Sequence, residues 1–298
     1  MSSNTTSQNH GSSTTAPDPS TPASTPALRI ESAAIHTQTN KPWTLKQCVQ
    51  AYSAVGIRGI SIWRNVIEPI GATEAAKIVR DYGMSVPAIV RGGFFTSLDT
   101  KARSAALDMN RTCIDEAQQI GAEMVVLVVG ATPGLSLQDA RQQVAEGISA
   151  LVPYANAAKV KLAIEPLHPM YAADKSCINR MTDARKVCQL VKDPIVGIAV
   201  DVYHVWWDPD LEQEIKLAGE LGLIFGFHIC DWLTTTNDLL TDRGLMGEGV
   251  IDIKKIRGWV EATGFKGFNE VEIFSARWWG ADQKEYVQKI REAYLFKS

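Results

Sequence analysis

Four segments in the second half of the chain each end a β-branched, apolar run on a side chain that can bind a metal ion or move a proton. They are Ala163-Ile164-Glu165-Pro166, Ala199-Val200-Asp201, Gly226-Phe227-His228 and Glu270-Val271-Glu272. Taken singly, a strand-end carboxylate is more often a helix cap or surface charge, and a lone histidine after an apolar run is more often a hydrogen-bonded core residue. The common register gives the set its weight, because four donors stand at the same end of four successive elements. Carboxylates crowded together raise one another's pKa unless a cation sits among them. Hard oxygens with one imidazole suit a divalent ion, with Mn²⁺ the first expectation and Mg²⁺ or Co²⁺ the others.

Further residues could handle a substrate. His36 ends the first apolar run and His168 follows Glu165 by three; either can serve as acid, base or hydrogen-bond donor. Arg64, Arg91 and Arg243 are candidates for holding an anionic or polar substrate group, although a solvated loop charge is the commoner fate of an arginine. Seven of the eight tryptophans (Trp43, Trp63, Trp206, Trp207, Trp232, Trp278 and Trp279) fall in or beside loops that follow strands. Packed loops or a contact in a homo-oligomer would account for them. The sharper expectation is an aromatic pocket in which Trp206, Trp232 and Trp278 stack on sugar faces or on an aglycone. Lys161 and Glu270 have the inward parity of their strands and need charged partners, without an assigned catalytic role.

The elements that position these residues alternate regularly. Strands are expected at Arg29–His36, Ile57–Trp63, Ser85–Arg91, Glu123–Val129, Val160–Glu165, Ile195–Asp201, Leu223–Ile229 and Gly267–Phe274. Helix-length segments between them imply parallel pairing, and the nearly continuous apolar runs Met124–Val129 and Ile195–Val200 imply a sheet covered on both faces. Ala140, Val144, Ile148, Leu151 and Ala155 share one helical face. Thr44 with Gln47 and Ser136 with Asp139 are spaced as helix starts, while Gly56, Gly83, Gly121, Gly222 and Gly264 stand where left-handed C-caps are wanted. Eight βα units without a Gly-x-Gly-x-x-Gly fingerprint predict an α/β fold, a single (β/α)₈ TIM barrel over residues 28–298.

Composition is that of a globular protein: 45% hydrophobic, 21% charged, net charge −3. This balance offers nothing to nucleic acid or an anionic membrane, and no run is long enough to span a bilayer. Residues 1–27, rich in Ser, Thr and Pro and poor in large apolar side chains, are expected to form a disordered tail. Five cysteines without a Cys-x-x-Cys pair fit a reducing, cytoplasmic setting rather than a disulfide framework.

Ile164-Glu165-Pro166, Asp201-Val202-Tyr203-His204, Phe227-His228-Ile229, Gly247-Glu248-Gly249 and Val271-Glu272 resemble the xylose isomerase-like TIM barrels. That group includes sugar-phosphate isomerases, ketose 3-epimerases, inosose isomerases and dehydratases, and endonuclease IV. The resemblance implies that Glu165, Asp201, His228 and Glu272 hold one divalent metal. It further implies that His204 touches the substrate and that the Gly-Glu-Gly turn closes the loop after strand seven. The implied chemistry is proton abstraction beside a polarised carbonyl through an enediolate, with Glu165, Glu272 and His204 catalytic. A sugar isomerase or epimerase acting on a small keto sugar or polyol follows first; a lyase, dehydratase or deglycosylase acting on a keto-glycoside or inosose uses the same first step. A non-catalytic sugar-binding barrel is the reading from another class. The ketose 3-epimerases carry Glu and Arg where this chain has Tyr171 and Thr234. Too few histidines and no basic surplus separate it from endonuclease IV.

Overall fold

A computed structural model describes Met1 and residues 28–298; the expected tail lies outside the described residues. Eight parallel strands close into a barrel in chain order. They are β1 (Ala33–His36), β2 (Gly59–Trp63), β3 (Ala88–Gly93), β4 (Met124–Val128), β5 (Lys161–Ile164), β6 (Val196–Asp201), β7 (Ile224–Ile229) and β8 (Asn269–Val271). Outside them lie α1 (Leu45–Ala54), α2 (Gly71–Asp81), α3 (Thr100–Ile120), α4 (Leu137–Ala158), α5 (Met181–Val191), α6 (Leu211–Glu220), α7 (Ile253–Ala262) and α8 (Gln283–Lys297). Each expected strand therefore forms, with shifted ends. Ile30–Ser32 is a 3₁₀ turn rather than the start of β1. Strand β3 begins after Pro87, which has no N–H for a ladder, and runs on through Gly92 and Gly93.

Local signals and packing agree. Thr44 and Gln47 form a reciprocal capping box, and Ser136 accepts the Asp139 N–H. All five glycines expected as C-caps have positive φ. Helices α4 and α5 end instead on Lys159 and Lys192 in the same left-handed conformation, which composition did not signal. The main apolar core lies between strands and helices, while a smaller one inside the barrel contains Ala88, Val90, Met124, Val126, Ala163 and Ala199. Small inward residues on β5 and β6 leave room for the charged side chains above and beside them.

Gly93 shows how tightly the end of β3 is held. Its φ is +110°, and an added Cβ would collide with the Val128 carbonyl. Buried Asn110 of α3 locks the same glycine, accepting its N–H at 2.7 Å and donating to its carbonyl at 2.8 Å. Left-handed strain plus a backbone collision sets the expected cost of Gly93→Ala at about 3–5 kcal/mol. A urea-unfolding midpoint equal to the wild type's would overturn that account.

Candidate metal centre and active site

Register brings the chemical residues to one level. Asp201 of β6 lies opposite His228 of β7, and His228 lies opposite Glu270 of β8. Glu165 follows β5 directly, its N–H donating to the Leu127 carbonyl, and Glu272 follows β8, donating to the Ile229 carbonyl, both at 3.1 Å. Strands in this fold point their C-terminal ends at the mouth. Glu165, Asp201, His228 and Glu272 accordingly present four ligand atoms within 4.8 Å of one another, all buried.

Each donor is also held from behind. Asp201 Oδ1 caps the helical turn Val202–Val205 by accepting the Tyr203 N–H at 2.8 Å, leaving Oδ2 for the mouth. The ordinary role of a strand-end aspartate and the ligand role thus coexist on one side chain. His228 Nδ1 lies 2.9 Å from Glu165 Oε1. His36, fully buried at the end of β1, places Nδ1 2.9 Å from Glu272 Oε1.

Arg243 completes the cluster from a loop. Its guanidinium is sandwiched between the rings of Tyr203 and Phe274, 4.3 and 4.7 Å from their centroids. It donates at 3.1 Å to both Asp201 Oδ2 and Glu272 Oε2 and at 3.2 Å to the Glu272 carbonyl. A short antiparallel pair, Asp231–Trp232 with Arg243–Gly244, carries it there. Buried Asp231 accepts the N–H groups of Trp232, Gly247 and Ile251, each at 2.9 Å, and so folds the Gly247-Glu248-Gly249 turn back onto the pair. An added Cβ on Gly249 would meet the Trp232 carbonyl, so only glycine closes this turn. Asp231, Tyr203 and Phe274 are therefore site-building residues that sequence reasoning did not select.

His204 stands beside them, Nε2 3.4 Å from Arg243 and 3.5 Å from Asp201. Burial, reinforced by the Arg243 charge, holds its pKa well below the usual imidazole value, so the ring is neutral. Arg243 donates to Nε2, which assigns the proton to Nδ1. That Nδ1 is buried without a hydrogen-bond partner. A donor so placed is ready for a substrate oxygen.

The remaining expected contacts divide. Arg91 lies over the rings of Phe94 and Trp63; burial lowers its pKa, opposed by Glu165 and Glu272, which places it beside the cluster. His168 packs between Trp207 and Trp232, and Trp232 stacks on Tyr203 and meets Trp206, forming an aromatic wall on one side of the mouth. Two expectations are corrected. Arg64 turns to α3 and forms a forked pair with Glu116 at 2.6 and 3.0 Å, because its strand-end position faces the helix layer. Trp278 stacks on Tyr286 of α8, ring planes 4° apart, so its ring belongs to the packing of the last helix.

The donor set fits a divalent ion. Burial is the largest influence on Asp201 and, with Glu272 and Glu165 nearby and Arg243 opposing, pushes it up to about 7. Burial alone would lower His228, but Glu270 and Glu165 raise it to about 10. Asp201 thus stabilises the chelator-stripped protein at low pH, a contribution lost as pH rises through about 7. An ion among the donors must displace the protons of both groups. Binding is expected to release about two protons below pH ~7 and about one above it. Calorimetry in buffers of different ionisation enthalpy measures this; an affinity independent of pH would exclude both residues as ligands.

Fold and site together define a (β/α)₈ barrel with a buried carboxylate–imidazole cluster at its C-terminal mouth. The chain belongs to the xylose isomerase-like TIM barrel family, whose sequence pattern matches residues 49–295. The protein SMc04130 of Sinorhizobium meliloti 1021 is 47% identical, with a TM-score of 0.86 over 89% of this chain and 98% of that one. A zinc-bound IolI protein is 20% identical with a TM-score of 0.78, covering 88% and 96%. The 3-keto-D-glucoside 4-epimerase YcjR of E. coli is 18% identical with a TM-score of 0.73, covering 90% and 99%. The latter two likenesses concern the fold. No curated protein matches the sequence. Among the described residues no helix is long and apolar enough to cross a membrane.

Proposed function

We propose that the chain is a divalent-metal-dependent sugar isomerase or epimerase that removes a proton beside a substrate carbonyl and passes through an enediolate. The observation that carries this reading is the convergence of Glu165, Asp201, His228 and Glu272 within 4.8 Å. These four would hold the ion, Mn²⁺ before Mg²⁺ or Co²⁺, which when bound supplies Lewis acidity to the substrate oxygens.

The chain's own residues divide the remaining work. Among the described residues Glu165 Oε2 makes no hydrogen bond, whereas both oxygens of Glu272 are engaged by His36 and Arg243. Glu165 therefore takes the proton, which then leaves to solvent. The more tightly held Glu272 orients the site and relays to the other face a proton that His36 supplies to its Oε1 across 2.9 Å. Neutral His204 donates from Nδ1 to the oxygen on which charge develops. Return to the same carbon gives epimerisation; return to its neighbour gives aldose–ketose isomerisation. Arg91 and His168 flank the mouth as substrate contacts.

A second reading is favoured by the aromatic wall of His168, Trp206 and Trp232. Such a wall suits a second ring, so a keto-glycoside or inosose could lose its β-substituent from the same enediolate in a lyase reaction. Tyr171 supports it too: it stands six residues after Glu165, the sequence position at which the ketose 3-epimerases carry a carboxylate, and its ring lies 6.0 Å from His204.

Keto sugars, inososes and keto-glycosides incubated with Mn²⁺ in D₂O test the proposal. Deuterium entering a carbon next to the carbonyl without elimination supports the isomerase or epimerase, and release of water or aglycone supports the lyase. Sugar binding with neither exchange nor bound metal would overturn both and leave a sugar-binding barrel.

A further inference from the structure

We propose that Glu270 is a positioning residue that holds His228 and His36 together, so that the Nδ1 atom of each faces the mouth. The proposal rests on the metal centre of the preceding reading and assigns a role to a carboxylate that is not among its four ligands.

Strand β8 lies between β1 and β7, and Glu270 pairs with Ala34 on one side and His228 on the other. Its side chain points inward, two residues below Glu272, and is 1% exposed. The Glu270 Oε2 atom accepts a hydrogen bond from Ser61 of β2. The same oxygen lies 3.4 Å from His36 Nε2 and 3.8 Å from His228 Nε2. Both Nε2 atoms are buried without a hydrogen-bond partner, so at these distances the carboxylate acts on them through its charge. The two rings meet edge to face, centroids 4.6 Å apart, above this carboxylate.

An imidazole can ligate through one nitrogen only if that nitrogen is free of its proton, and the partner of the other nitrogen decides this. A carboxylate facing Nε2 of His228 keeps the proton there and leaves Nδ1 for an ion. The same oxygen facing Nε2 of His36 turns that ring's Nδ1 toward Glu272, 2.9 Å away. One buried carboxylate thereby orients both a ligand and the ring that faces a second ligand, a ring whose Nδ1 also meets the Trp63 indole N–H at 3.3 Å. Lys161, the other inward charge of the lower barrel, lies over the Phe225 ring, so its ammonium is packed against an aromatic face.

The test compares Mn²⁺ binding and imidazole ¹⁵N spectra of the full-length wild type, Glu270→Gln, Glu270→Asp and Ser61→Ala. Glu270→Gln is expected to bind Mn²⁺ about 10–100-fold more weakly, the usual effect of removing such a partner. Its His228 and His36 Nε2–H signals should shift, and Glu270→Asp should recover part of the affinity. Wild-type affinity with unchanged imidazole signals in Glu270→Gln would overturn the proposal. If that variant does not fold, Ser61→Ala decides: a several-fold loss with shifted signals is expected, and no change in either overturns it. A wild-type protein that binds no divalent ion would bring down the metal centre itself, whereas a binding wild type with an indifferent Glu270→Gln removes only this role.

Discussion

With Mn²⁺ at saturation in D₂O, the Glu165→Gln protein is expected to incorporate deuterium into substrate about 10²–10⁴-fold more slowly than the wild type, the usual worth of a positioned general base. Glutamine keeps the shape and one oxygen of the side chain, so the folded protein should survive. Glu165 forms one contact of note, with His228 Nδ1, and its Oε2 is free toward the mouth. Melting temperature should therefore fall less in the chelator-stripped Glu165→Gln protein than in Glu272→Gln, because one buried contact is weakened rather than two. Glu272→Gln is expected to be comparably inactive but distinctly less stable, since it discharges the partner of His36 and of Arg243. The pairing of rate with melting temperature separates the two carboxylates. Wild-type exchange in Glu165→Gln would remove it from the mechanism.

Replacing Arg243 by methionine should strongly destabilise the protein. The guanidinium is 2% exposed and bridges Asp201 and Glu272 between two aromatic rings. Methionine fills much of the volume but leaves buried carboxylates facing one another. Removing one partner of a buried ion pair costs about 3–5 kcal/mol. For a chain of this size that corresponds to a fall in melting temperature of roughly 10 °C in the chelator-stripped protein. Added Mn²⁺ should restore more in the variant than it adds to the wild type, because the ion then takes over the positive charge that Arg243 brought to those oxygens. An unchanged melting temperature would show that Arg243 contributes no net stabilisation to the acidic cluster.

These two experiments probe different layers of the site. Glu165 faces the substrate, while Arg243 sets the charge balance that the substrate-facing groups require. His204 depends on the same balance, because Arg243 helps hold its ring neutral. A change at Arg243 is therefore expected to alter catalysis as well as stability, and the Glu165 comparison keeps the two effects distinct.

Much of this was legible in the chain itself. Alternating β-branched and amphipathic segments specified eight βα units, because a parallel strand needs a long crossover and a covered sheet tolerates apolar residues on both faces. Parity within a strand placed Glu165, Asp201, His228 and Glu272 at one end and Glu270 two residues lower. These readings hold because strand geometry is local and repeats every two residues.

What lay beyond the sequence depended on closure of the barrel and the paths of its loops. His36 meets Glu272 only because β1 and β8 become neighbours when the ring closes. Arg243 reaches Asp201 because Asp231 gathers three backbone N–H groups and folds a long loop over the mouth. Arg64 and Trp278 looked equally suited to that mouth, yet one finds Glu116 and the other Tyr286 in the helix layer. Local periodicity says which residue ends a strand, but a long side chain at that point can turn either way. Its direction is decided by the partner that satisfies its charge or covers its ring, and that partner is supplied only by the assembled fold.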